Sequence, residues 1–177
     1  AGIILSDSIE TRGMAVLTIS SDEMKFGIGS INNIHTCDRH QAGKILAKSS
    51  IADFGKHSRQ TFLFFIDGQI ENNSFLLKGI QELLGNVFPI IGAGSCDDFH
   101  FDDTFQIYQD TPLRYSATGL ILGGRVNVGV GGRHGWRPLG KPRIIDKVNG
   151  NIINTINGKR ASSLYEEYFG KEAESLT

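Results

Sequence analysis

Cysteine is scarce in this chain of 177 residues. Cys37 and Cys96 are the only two, too few for a disulfide framework, so a reducing cytoplasm is the expected setting, with at most a single bridge. Long apolar runs are missing as well. No window approaches 18 consecutive apolar residues, so no membrane-spanning helix is expected. The first residues show no basic segment followed by an apolar stretch, the pattern of a secretory leader. The chain opens on Ala1 instead of Met, and a processed product or a piece of a longer protein is expected. An excess of one charge is also lacking: 18 Lys and Arg against 19 Asp and Glu give a formal net charge of -1. That removes any general pull towards nucleic acid or an anionic membrane, and neither is expected as a partner.

Glycine, by contrast, is abundant. There are 22, and eight fall between Gly119 and Gly140. Such a cluster marks either hairpin turns or a place where backbone is closely approached. Hydrophobic residues make up 40% and charged residues 21% of the chain, as in a globular domain able to bury a substantial core. Met14–Ser20 and Lys25–Ile31 alternate as strands and predict a hairpin across SSDE. The glycines of the second strand point to a bend or a close approach. Asp38 caps a helix through Gln41–Ser50, with Ala42, Ile45 and Leu46 on one side. The continuous run TFLFFI, Thr61–Ile66, reads as a strand buried on both faces. A helix follows from Asn73 or Ser74 to about Leu84, with Leu76, Leu77, Ile80, Leu83 and Leu84 as its apolar stripe. Pro89–Ile91 is the next strand, so residues 61–91 form a strand-helix-strand unit with a crossover long enough for a parallel pair.

The second half changes character. Phe105–Tyr108, Ser116–Leu122, Arg125–Val130, Pro142–Val148 and Ile152–Ile156 read as strands, with Gly123-Gly124 as a two-residue hairpin turn. Ala161–Phe169 is helical. The expected fold class is α/β with α+β character: a central mixed sheet, one strand-helix-strand unit, antiparallel hairpins around it, and helices packed on the sheet. No linker divides the chain, and a single domain over residues 1–177 is expected.

Two stretches concentrate chemistry. PIIGAGSCDDFHFDDTF, Pro89–Phe105, places small residues, a thiol and four aspartates behind a strand. Loops at the carboxyl ends of strands in α/β sheets favour ligands, which makes Gly92, Gly94, Ser95, Cys96, Asp97 and Asp98 candidate ligand-binding residues. The run lacks the third glycine of a dinucleotide fingerprint and any GKS or GKT, and its acidic pair repels phosphate. Asp98, His100 and Asp102 could converge on a metal from alternate positions, although the spacing is no EF-hand. Cys96 would need a base or cation to become a nucleophile, and its neighbouring carboxylates work the other way. His35, Cys37 and His40 lie near one another without a standard zinc spacing. The second stretch is GVGGRHGWRP. Arg133 offers a fixed cation, His134 a group that titrates near neutrality, and Trp136 a broad apolar face with one donor. Together they could clamp a carboxylate-bearing ligand such as an amino acid. The alternative is a basic loop whose tryptophan plugs a core edge.

The ordered set FLFFIDG, NNSFLLKGIQELLG, PIIGAGSCDDFHFDDT and RHGWRPLGKPRIIDKVNGNIINTINGKRASSLYEEYFG resembles the FIST N-terminal domain, over about Ala15 to Gly170. Gly92–Asp98 matches that family's glycine-rich loop, and Gly135-Trp136 with Pro138 and Gly140 matches its HGW-x-P-x-G segment. Asn157–Ala161 matches a DG-x-PA segment, with Asn157 in place of Asp and Arg160 in place of Pro. The resemblance implies an intracellular sensory domain of a signal-transduction protein, binding a small molecule such as an amino acid or small carboxylate without catalysis. It also implies a FIST C-terminal domain or downstream signalling domain as partner, and no cofactor or metal. Two other readings stand beside it: a metal-assisted or cysteine-dependent hydrolase built on Cys96 and Asp97–Asp103, and a structural or protein-interaction domain.

Overall fold

In the computed structural model, which describes residues 3–4, 6–10, 13–97, 100, 102–150 and 152–170, the chain falls into two units, residues 1–131 and 132–177. The first begins with a short antiparallel pair, β1 (Ile3–Ile4) and β2 (Ile9–Glu10). Then come β3 (Met24–Ile31), α1 (Arg39–Phe54), β4 (Arg59–Asp67), α2 (Asn73–Leu84), β5 (Ile90–Ser95), β6 (Phe105–Tyr108), β7 (Thr111–Arg114) and β8 (Ala117–Gly124). Strands β3, β8, β4 and β5 form one mixed sheet in that order. β4 and β5 run parallel, with Asp67 opposite Ser95, and β8 is antiparallel to both β3 and β4. β6 and β7 make a separate hairpin. The mixed α/β sheet with packed helices is the fold class read from the sequence.

Glycine decides how closely helix and sheet approach. A side chain at Gly27 would strike Phe54 of α1, and one at Gly29 would strike Ser49 and Ser50. These glycines mark a close approach and no bend. The core lies between helices and sheet, where Phe62, Leu46, Leu76, Ile80 and Ile121 are fully buried. Asp38 accepts from Gln41 N at 2.9 Å and starts α1 as expected; Gly85, at φ 98°, ends α2.

Several expectations are corrected. Residues Met14–Ser20 form no strand and are exposed; β3 pairs with β8 instead. Alternation marks a chain suited to a sheet, but only an available edge makes it a strand. Gly123-Gly124 is no hairpin turn: both end β8, and Arg125–Val130 is irregular. β4 is covered by helices on one face only. Phe62 and Ile66 are buried, whereas Phe65 on the other face is 52% exposed. Helix α1 buries Ala42, Gly43, Leu46, Ala47, Ser50 and Phe54, and Ile45 faces outward at 50% exposure. In α2 the buried stripe is Leu76, Gly79 and Ile80, with Leu83 exposed. Both helices turn glycine towards each other, which shifts the packed face off the line of large apolar residues.

The second unit is a three-stranded antiparallel sheet, β9 (Ile145–Asn149), β10 (Ile152–Ile156) and β11 (Lys159–Arg160), followed by α3 (Ser163–Phe169). Asn157 and Gly158 both have positive φ, 49° and 73°, and close the β10–β11 hairpin. That is the Asn-Gly turn whose twist suits paired strands. Asn157 Oδ1 accepts from Ile144 N at 2.8 Å, so its side chain also anchors the segment leading into β9. Arg143 donates to Glu167 Oε1 and to the Tyr168 hydroxyl, at 3.1 and 3.2 Å.

Candidate functional site

Parallel strands that end side by side leave their following loops together, and β4 and β5 do so at Asp67 and Ser95. Paired residues share a face, and this pair lies on the face turned away from α1 and α2, the face of Phe65 and Ala93. Gly68 N donates to Ser95 O at 3.1 Å and fastens the two ends. Ser116, just before β8, accepts from Asp67 N through its carbonyl at 3.1 Å. Over these ends lies the start of β6. Gln106 Nε2 donates to Ser95 Oγ at 2.8 Å, and Ser116 Oγ donates to Gln106 Oε1 at 2.7 Å. Gln106 and Ser116 are buried, so one side-chain amide ties the end of β5 to the residue before β8. A buried amide with both ends paired fixes geometry, because leaving either end unmade is costly.

Asp97 organises the loop after β5. Its Oδ2 accepts from Gln69 Nε2 at 3.0 Å and from Asp102 N at 2.7 Å. The loop after β4 is therefore held to the loop after β5. Asp103 pairs with Arg114 at 3.0 Å, across the β6–β7 hairpin. Farther along the same sheet face a groove of about 230 Å³ is lined by Ile28, Phe65, Ile107, Tyr108, Thr118 and Leu120.

The FIST N domain matches residues 1–159, across most of the chain. The chain belongs to the FIST N domain family. It is also 29% identical over 106 residues to the uncharacterized protein MJ1623 of Methanocaldococcus jannaschii; the match takes in 60% of this chain and 20% of that protein's length. The chain thus spans a minor part of this relative. No solved structure matches.

Within this FIST domain, the residues singled out in the sequence have distinct placements. Ser95 and Asp97 stand at the strand ends just described. Cys96 lies between them, exposed, with Sγ 3.7 Å from Gly94 O. Gly92 and Gly94 belong to β5: a side chain at Gly92 would strike the Phe64 ring, and one at Gly94 would press on Gly68. Asp98 lies outside the described residues. Arg133, His134 and Trp136 belong to the second unit, in an irregular exposed segment where Trp136 is 86% exposed. That exposure corrects the reading of a tryptophan plugging a core edge.

Among the described residues no group of three His, Cys, Asp or Glu side chains could hold a metal. The three neighbours His35, Cys37 and His40 disperse: His35 lies against Tyr115, Cys37 donates to Ile34 O, and His40 pairs with Glu82. No helix of the described residues is long and apolar enough to cross a membrane. Sequence reading missed Asp67, Gln69, Thr104, Gln106 and Ser116. The signal for Asp67 was present as the FID-G ending of an apolar run. Gln106 and Ser116 carry no such mark, because only the β6–β7 hairpin brings them to Ser95.

Proposed function

We propose that this FIST N domain is an intracellular, cytoplasmic small-molecule-sensing module of a signal-transduction protein, working without catalysis. The observation that carries the reading is the convergence of Asp67, Gln69, Ser95 and Asp97 at the carboxyl ends of a parallel strand pair, where α/β sheets take ligands. In this reading Gly94–Asp98 contributes backbone and side-chain contacts, and Gly92 sets the height of β5 beneath them. Arg133, His134 and Trp136 belong to the second unit and are a separate candidate set, offering cationic and aromatic contacts of its own. Amino acids and small carboxylates are the first classes to test. Occupancy is read by a FIST C-terminal domain or another signalling domain, which requires a state change that the ligand favours.

The test is a thermal-shift screen of the purified chain against amino acids, small carboxylates, nucleotides and divalent metals, the last with and without chelator. Binding to the folded state raises the melting temperature. Selective stabilisation by one small organic class is the expected result. A response only to metal, abolished by chelator, would move the reading to a metal-dependent hydrolase. A silent screen would count against a ligand sensor.

A further inference from the structure

The edge of a sheet is a row of backbone donors and acceptors, and the two edges of the four-stranded sheet differ. At the β3 edge, Asp53 of α1 accepts from Ile28 N at 2.8 Å, so a carboxylate blunts that row. The other edge is β5. Phe62 N donates to Pro89 O, and Gly68 N donates to Ser95 O. These two bonds fix the alternation along the strand. Residues 89, 91, 93 and 95 face β4, and Ile90, Gly92 and Gly94 turn their N–H and C=O groups outward. Among the described residues, the one group that meets this outward row is Cys96 Sγ, 3.7 Å from Gly94 O. No proline or lysine interrupts Ile90–Ser95, and its pairing with β4 is regular through all six residues. Ile91, Gly92, Ala93 and Gly94 are exposed, and Leu84, Phe88 and Ile90 are only partly buried against the core. An edge with none of the usual guards is a template for another strand.

The order of side chains along β5 shows which strand fits. The segment Ile90–Gly94, IIGAG, complements itself when two copies run antiparallel about Gly92. Outward residues then meet outward residues, as hydrogen-bonded antiparallel pairs require: Gly92 opposite Gly92, and Ile90 opposite Gly94. On the other face Ile91 stands opposite Ala93. Each isoleucine meets a small residue. The centre is a glycine where any side chain would strike the Phe64 ring. The strand carries no charged side chain, so nothing on it repels its own copy. We propose that this chain forms a twofold dimer by pairing β5 with β5 of a second copy, which joins two four-stranded sheets into one. A twofold contact uses the same patch on both copies and closes on itself. The blunted β3 edges are left at the two ends of the joined sheet. This interface goes beyond the sensor reading and needs no ligand.

Sedimentation velocity of the purified chain over a rising concentration series tests this. A species of twice the chain mass is expected. Ala93→Lys places a charge on the exposed strand, a means by which natural edges stay unpaired. It should return the chain to the monomer with unchanged far-UV circular dichroism. Ile45→Lys, on the outward side of α1, should leave the dimer intact. The register has its own test, in a Cys96→Ser background. Ile91→Cys combined with Ala93→Cys should give a disulfide-linked dimer under mild oxidation, because a non-hydrogen-bonded antiparallel pair stands about 4.5 Å apart at Cα, within disulfide reach. Ala93→Cys alone should give none, since its counterpart is then a diagonal neighbour. A monomer at every concentration overturns the proposal. So does a dimer that survives Ala93→Lys with its circular dichroism unchanged, or one that forms no disulfide in the double-cysteine chain. If Ala93→Lys fails to fold, the disulfide test decides alone. The ligand screen bears on none of these outcomes, so the sensor reading and this interface stand or fall separately.

Discussion

Gly43→Ala should destabilise this protein even though alanine is the better helix former. In an exposed helix interior the change stabilises by about 1 kcal/mol. Here Gly43 sits in α1 where a Cβ would collide with the carbonyl of Leu76 in α2, and Gly79 of α2 stands in the same relation to His40. The obstacle in each case is backbone, which moves only if the helices separate. Separation loosens Leu46, Ala47, Leu76 and Ile80, all fully buried. Overpacking a core typically costs about 1–3 kcal/mol and occasionally more. A clash with rigid backbone lies at the upper end, so after the propensity gain the net loss should be about 2 kcal/mol. For a chain of this size that lowers the melting temperature by about 4–8 °C. Urea unfolding followed by far-UV circular dichroism measures it, and Gly79→Ala should behave alike. In the double variant the second cost should be smaller than the first, because helices already parted by one methyl accept another. A rise in the unfolding midpoint for Gly43→Ala would refute the reasoning and leave helix propensity in control.

Replacing Gln106 by leucine should cost about 1–3 kcal/mol, since Ser95 and Ser116 lose their shared buried partner; an unchanged urea midpoint would contradict the tie described here. The carboxyl of Glu82 is held below its usual value of 4.5, first by the hydrogen bond from Lys44, against some desolvation, and then by the charges of Lys44 and His40. A depressed carboxylate contributes stability that is present above pH 4.5 and is lost as pH falls through its folded value. The stability difference between wild type and Glu82→Gln should therefore be constant near neutrality and vanish on acidification below 4.5, as read by urea midpoints across pH. Cys96→Ser should leave the urea midpoint unchanged, because Sγ donates to the Gly94 carbonyl and a serine hydroxyl can do the same; a large drop would contradict this reading of the thiol.

Local signals carried far where they were also tertiary signals. Asp38 and Asn73 start helices that begin where the sequence places them, since capping and periodicity are local. The strand-helix-strand unit was legible for the same reason: TFLFFI, an amphipathic helix and PII each declare themselves within a few residues. The partner of β3 was not legible. Its strand periodicity fits MAVLTIS as well as β8, and the choice of β8 follows from glycines that let α1 settle onto both strands. Gly43 is by itself a poor helix residue, and its purpose lies in another helix, where Leu76 leaves no room for a side chain. The site divides in the same way. Ser95 and Asp97 were visible as the end of a strand followed by a polar loop, whereas Thr104, Gln106 and Ser116 are ordinary polar residues until a hairpin folds back over Ser95.

Chemical-shift mapping of a ¹⁵N-labelled chain, titrated with the small molecule that most stabilises it, tests the central claim most directly. The account predicts perturbations centred on Gly68, Gln69, Ser95, Cys96 and the Thr104–Gln106 segment, spreading to Ser116 through the Gln106 tie. Perturbations confined to the outer face of α1 and α2, with the ends of β4 and β5 silent, would contradict it.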